Sequence, residues 1–82
     1  MIKVAIADDQ PLFREGLRAV LSTDREIEVV GEAGNGEELL AICEQHRPRV
    51  VLMDLQMPVM NGVVATRQLK VKFPDCAIVV LT

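Results

Sequence analysis

The chain has 82 residues, half of them hydrophobic, with Phe13 and Phe73 as its only aromatic side chains, so there is room for a single domain, residues 1–82, built on an aliphatic core. The formal net charge is −3 and the nine Lys and Arg residues are scattered, which gives no clustered basic surface to grip a nucleic-acid backbone. No apolar run approaches the roughly 18 residues of a membrane span and no charged-then-apolar leader opens the sequence, so the expectation is a cytoplasmic protein with no membrane partner.

Taken in chain order, Ile2 to Ala7 (IKVAIA) is a short run rich in branched residues that stops at Asp8-Asp9, as a buried strand delivering two carboxylates to its end would. Pro11 suits the first turn of a helix, and Phe13, Leu17, Val20 and Leu21 recur along it at helical spacing as one apolar face. Ile27 to Ala33 (IEVVGEA) reads as a second strand. Asn35 followed three places later by Glu38 is the capping-box spacing that starts a second helix, with Leu39, Ile42 and Cys43 toward the core. Gly31 to Gly36 is glycine-rich, but without G-x-G-x-x-G spacing or a P-loop lysine it is a cap and turn.

His46 falls where that helix should end before Pro48. Val50 to Met53 (VVLM) is a third strand, apolar on both faces and thus expected inside the sheet, and it too ends in an aspartate, Asp54. After a loop from Leu55 to Gly62, Ala65, Leu69 and Phe73 stand four apart in a third helix closed by Pro74. Ile78 to Leu81 (IVVL) is a fourth strand. The order βαβαβαβ predicts an α/β fold with a parallel sheet and helices on both faces. Cys43 and Cys76 lack metal-site or redox spacing and are expected as buried or half-buried free thiols. Met53, Met57 and Met60 are expected as packing groups.

Ligands of open α/β sheets lie beyond the carboxyl ends of the strands, so Asp8, Asp9 and Asp54 should converge in one shallow pocket. Three neighbouring carboxylates repel one another unless a cation joins them, and an all-oxygen set with few protein ligands suits hydrated Mg²⁺ or Mn²⁺. A carboxylate beside such a cation can attack phosphorus and form an acyl phosphate, whose lability suits a reversible signal. The plainer alternative is that acids at strand ends cap the following helix, Asp9 above all.

The segment MDLQMPVMNG, Met53 to Gly62, closely resembles the phosphorylation-site segment of bacterial two-component response-regulator receiver domains. IADDQPLFREGLRAVL, VVGEAGNGEELL and IVVLT extend that resemblance over essentially the whole chain. It implies a flavodoxin-like (CheY-like) parallel sheet of order 2-1-3-4, with Asp54 as the phosphorylated aspartate and a sensor histidine kinase as the donor. It also implies Asp9 as a direct Mg²⁺ ligand, Asp8 as a carboxylate acting largely through water, and the Gln56 main-chain carbonyl as a further ligand. Pro58 and Gly62 match turn positions where a fixed and a permissive φ are useful. Thr82 matches the switch hydroxyl that moves to the phosphoryl group, set against an ordinary residue at a frayed strand end.

FREGLRAVL and EVVGEAGNGEELL are most similar to receivers that precede a LuxR-type helix-turn-helix, which implies a transcription-factor parent whose DNA contacts belong to a domain outside these residues. Receivers continue through a fourth helix, a fifth strand ending in a lysine, and a fifth helix. Residues 1–82 are therefore expected to be a truncated receiver, phosphorylated slowly or undetectably because the lysine no longer helps hold the phosphoryl oxygens. The fourth strand becomes an open edge, and self-association by edge pairing or exchange of elements is expected. Two rival readings are a non-catalytic interaction fragment and a flavodoxin-like binder of a small phosphate compound.

Overall fold

A computed structural model describes residues 1–81 of the chain. The elements are β1 (Ile2–Ala7), α1 (Pro11–Leu21), β2 (Ile27–Ala33), α2 (Gly36–His46), β3 (Val50–Met53), α3 (Gly62–Lys72) and β4 (Ala77–Val80). All pairings are parallel and the strand order is β2-β1-β3-β4, as the resemblance implied. The fourth strand begins and ends one residue earlier than its apolar run, at Ala77 and Val80. It occupies a sheet edge, where Val79 and Val80 are 46% and 47% exposed.

Alternation along the strands divides the apolar side chains between two faces. Ala5 and Ala7 of β1 with Val51 and Met53 of β3 line the face covered by α2 and α3, where Leu39, Cys43, Ala65 and Leu69 are buried against them. The small side chains of Ala5 and Ala7, in the carboxyl half of β1, let α2 come close to the sheet. Val4 and Ile6 lie on the other face and are also buried, beneath α1. That helix shields the sheet poorly. It has no buried residue; Leu17 and Leu21 are half-buried, while Phe13 and Val20 are 43% and 67% exposed. The predicted apolar face exists, but within these residues nothing covers its outer part.

The helix starts follow local chemistry. Pro11 opens α1 at a position whose N–H would have no helical partner. Asn35 accepts from the Glu38 N–H at 2.9 Å, while Glu38 Oε1 accepts from the Gly34 N–H at 2.7 Å. The return half of the expected capping box therefore lands one residue before the cap. Asn61 caps α3 in the same way, accepting from the Val64 N–H at 3.0 Å. In β2, Val30 has no partner across from β1, where Val4 pairs with Val29 and Ala5 with Gly31, so a bulge resets the alternation. Both cysteines are free and buried, and Met53 and Met57 are buried in the core.

Candidate functional site: a carboxylate cluster at the carboxyl end of the sheet

The register of the sheet delivers the aspartates. Ala7 pairs with Ala33 on one side and Met53 on the other, and the ladder runs one residue further: the Asp8 N–H donates to the Ala33 carbonyl and the Asp54 N–H to the Ala7 carbonyl, both at 2.9 Å. Two neighbouring parallel strands thus end in step, each on an aspartate, at the inter-strand spacing of about 4.8 Å. Each carboxylate is then turned by its own chain. Asp8 Oδ1 accepts from the Gln10 N–H at 2.8 Å and Asp54 Oδ1 from the Gln56 N–H at 3.0 Å, the two-residue loop that short acidic side chains make with following backbone.

Asp9 completes the group. One carboxylate oxygen from each of Asp8, Asp9 and Asp54 lies within 4.8 Å of the others, with Asp8 buried (5% exposed), Asp54 half-buried and Asp9 exposed. The capping alternative for Asp9 fails here: α1 has Gln10 at its N-cap with no side-chain bond, and Asp9 makes no hydrogen bond or ion pair among the described residues. Three negative charges at this separation raise one another's energy. The donor set is all oxygen, and its exposure falls from Asp9 to Asp8, which leaves one side to water. This fits a hard cation that keeps part of its hydration shell, such as Mg²⁺ or Mn²⁺, better than zinc.

Arg14 reaches the same corner, a role no motif signalled in advance. Its Nη1 donates to the Asp8 main-chain carbonyl, and its Nε lies 3.5 Å from Glu32, which Arg18 holds at 2.7 Å. The guanidinium braces the β1–α1 turn and leaves the Asp8 carboxylate to the cluster. The signal was available in the spacing: Arg14 and Arg18 are one helical turn apart, facing an acid on the adjacent strand.

The loop after β3 is held tightly. Gly62 donates to the Leu55 carbonyl at 2.8 Å and Gly36 to the Met60 carbonyl at 3.0 Å, so the loop closes on itself and docks on the start of α2. The permissive φ expected at Gly62 is not found. No glycine has a positive φ, and the positive value in this loop belongs to Val59, at 67°. The Met60 N–H donates to the Pro58 carbonyl at 2.7 Å across it, a γ-turn that a β-branched residue adopts only under strain. Gly62 is required for space instead: a Cβ there would lie 2.6 Å from Leu55 Cα and 2.7 Å from the Asp54 carbonyl oxygen.

Of the residues singled out from the sequence, Asp8, Asp9 and Asp54 come together. Gln56 sits at the rim with its side chain exposed and its N–H on Asp54. Thr82 lies outside the described residues. No helix among the described residues is long and apolar enough to cross a membrane.

Comparison with known proteins agrees with this arrangement. The sequence profile of the response regulator receiver domain matches residues 4–82. The chain is 46% identical over 81 residues to YxjL, a transcriptional regulatory protein of Bacillus subtilis, and 43% identical to the transcriptional regulatory protein DegU of Brevibacillus brevis, covering 99% of this chain in each case. It spans 37% and 34% of those proteins, roughly a third of their length. The non-phosphorylated receiver domain of the stress response regulator RcsB from Escherichia coli superposes with a TM-score of 0.91 at 32% identity, over 99% of this chain and 64% of that one. Sequence profile, fold and relatives agree: the chain belongs to the response regulator receiver family, a phosphoryl-acceptor module.

Proposed function

We propose that Asp54 is the phosphoryl acceptor, that Asp8, Asp9, Asp54 itself and the Gln56 main-chain carbonyl hold a divalent cation, and that a sensor histidine kinase is the donor. The observation that supports this most strongly is the approach of three carboxylates to within 4.8 Å of one another. Mg²⁺ or Mn²⁺, when bound, offsets the repulsion between an attacking carboxylate and an incoming phosphate. The chain's own groups do the rest. The Gln56 N–H holds Asp54 Oδ1, which orients the carboxylate and limits its rotation. An Asp54 oxygen forms the new bond to phosphorus as the bond to the donor, phosphohistidine nitrogen or acyl oxygen, breaks. The product is an acyl phosphate that water can later cleave.

We assign Thr82 the switch hydroxyl from the resemblance of the IVVLT segment to receivers, two positions past the end of β4. The transcriptional regulators named above support a role in control of transcription, and the resemblance of FREGLRAVL and EVVGEAGNGEELL supports a LuxR-type DNA-binding partner domain and a cytoplasmic location. Residues 1–82 span 64% of the RcsB receiver domain. For them alone the expected phosphorylation is slow or undetectable, and the open β4 edge supports self-association by strand pairing or exchange. Light scattering is expected to give a dimer or larger; a stable monomer contradicts that part.

The test is intact mass spectrometry after incubation with acetyl phosphate, with and without Mg²⁺, run on residues 1–82 and on a longer protein carrying the following strand and its lysine. A single phosphoryl adduct on the longer protein, dependent on Mg²⁺ and lost in Asp54→Asn, is expected. If the longer protein gains no adduct, the domain is a non-catalytic interaction module instead.

A further inference from the structure

The amino end of the sheet, opposite the aspartates, holds a cavity of about 590 Å³ between the α2–β3 and α3–β4 connections. This falls within the roughly 300–1,000 Å³ of small-molecule sites. Its charge runs against the molecule's. In a chain of net −3, the cavity is lined by the cations Arg47, Arg49 and Lys72 and by one carboxylate, Asp75. Pro48, Phe73 and Pro74 supply the apolar walls.

The cations are fixed in place to different degrees. Arg47 is the C-cap of α2 with φ 48°, a left-handed position that glycine or asparagine occupies more cheaply. Its guanidinium lies over the Phe73 ring, 5.4 Å from the centroid. Lys72 is tied to Glu44 at 3.1 Å. Arg49 is anchored through its backbone, its N–H donating to the Lys3 carbonyl and its carbonyl accepting from the Ala77 N–H, each at 2.8 Å. Its guanidinium makes no hydrogen bond or ion pair among the described residues. The opposite wall is stapled by Lys70 Nζ, which donates to the Cys76 carbonyl at 2.9 Å. A concave site with one committed cation, one stacked planar cation and one planar cation unpaired among the described residues is arranged for an anion with a flat apolar body.

From this geometry we propose that the cavity binds a small organic anion, a carboxylate or phosphate carried on a planar apolar group, with Arg49 as the principal charge contact and Phe73 with the two prolines against the body. Asp75 in the lining disfavours highly charged ligands, so a compact monoanion or dianion is selected. Arg49 directly precedes β3 and Asp54 directly follows it, which puts this site and the carboxylate cluster at opposite ends of one strand. The proposal does not depend on the chemistry assigned to Asp54.

The probe is phenyl phosphate, with inorganic phosphate and ionic-strength-matched sodium chloride alongside, followed by amide NMR on the full chain without Mg²⁺ so that the acidic cluster repels anions. Saturable shifts are expected at Arg47, Arg49, Phe73 and Cys76, with phenyl phosphate bound roughly tenfold more tightly than inorganic phosphate and Arg49→Gln weakening it by a similar factor. Arg49 is exposed, so that variant should keep the wild-type spectrum elsewhere. Shifts that never saturate, that sodium chloride reproduces, or that centre on Asp8 and Asp54 overturn the proposal. Equal affinity for the two phosphates overturns the role given to the apolar walls.

Discussion

The two faces of the sheet are made from similar strands and differ in what covers them. On one face α2 and α3 press Leu39, Cys43, Ala65 and Leu69 onto the alanines of β1 and the Val51–Met53 side of β3, and all of these are buried. On the other, α1 alone lies over β1 and β2, buries none of its own residues, and leaves Phe13, Val20 and Val79 partly in water. Amphipathic spacing therefore reports which stripe of a helix is able to pack. Whether the stripe is packed depends on neighbours that the stripe itself does not encode. The carboxylate cluster draws on both sides: the loop carrying Asp54 docks on the start of α2 through Gly36 and runs into the capped start of α3, while Arg14 of α1 braces the Asp8 turn.

The comparison breaks most readily in the core. Leu39→Ala and Leu69→Ala should each cost about 2–5 kcal/mol, because both side chains are fully buried between helix and sheet. Phe13→Ala and Val20→Ala on α1 should cost under about 1 kcal/mol, since much of each side chain is already exposed. Denaturant melts of the four variants measure the difference directly. Equal losses would mean that α1 is packed as tightly as α2 and α3.

Gly62→Ala should cost about 1–3 kcal/mol, as its methyl would collide with backbone at Leu55 and Asp54 that cannot step aside. It should also shift the Asp54 and Gln56 amide resonances, which a purely global loss of stability would leave in place. Asn61→Ala removes the acceptor for the Val64 N–H and should cost about 1 kcal/mol, most of it read as fraying at the start of α3 in hydrogen exchange.

The smallest effect at neutral pH is at Cys43, whose thiol is pushed up from 9.0 to about 12 by burial, with the Cys76 thiol nearby acting in the same direction. A folded-state value above the unfolded one favours the fold fully below about pH 9 and loses that contribution as pH rises toward about 12. Alkaline unfolding should therefore steepen in that window and flatten in Cys43→Ala, while alkylation of the native thiol at pH 7 should be slow. Fast labelling would contradict its burial.

The element order and the three aspartates were legible in the sequence because each depends on local patterning: apolar runs that stop abruptly at Asp8 and Asp54, caps at Asn35, proline breaks before β3 and β4. Sheet order was not legible from periodicity and came from the family resemblance. What escaped was tertiary. The bulge at Val30 follows from register between strands, the requirement for Gly62 from the approach of Leu55, and the positive φ at Val59 from closure of a loop at both ends. Arg14 escaped although its spacing from Arg18 was readable, because its contact with the site is to the Asp8 main-chain carbonyl.

The central claim is that one carboxylate of the three, Asp54, takes the phosphoryl group. Borohydride reduction converts an aspartyl phosphate to homoserine, so tandem mass spectrometry of the longer protein, treated with acetyl phosphate and Mg²⁺ and then reduced, reads the acceptor by position. Homoserine at residue 54 alone is the expected result. Homoserine at residue 8 or 9, or a phosphoryl group that survives reduction on another side chain, would contradict it.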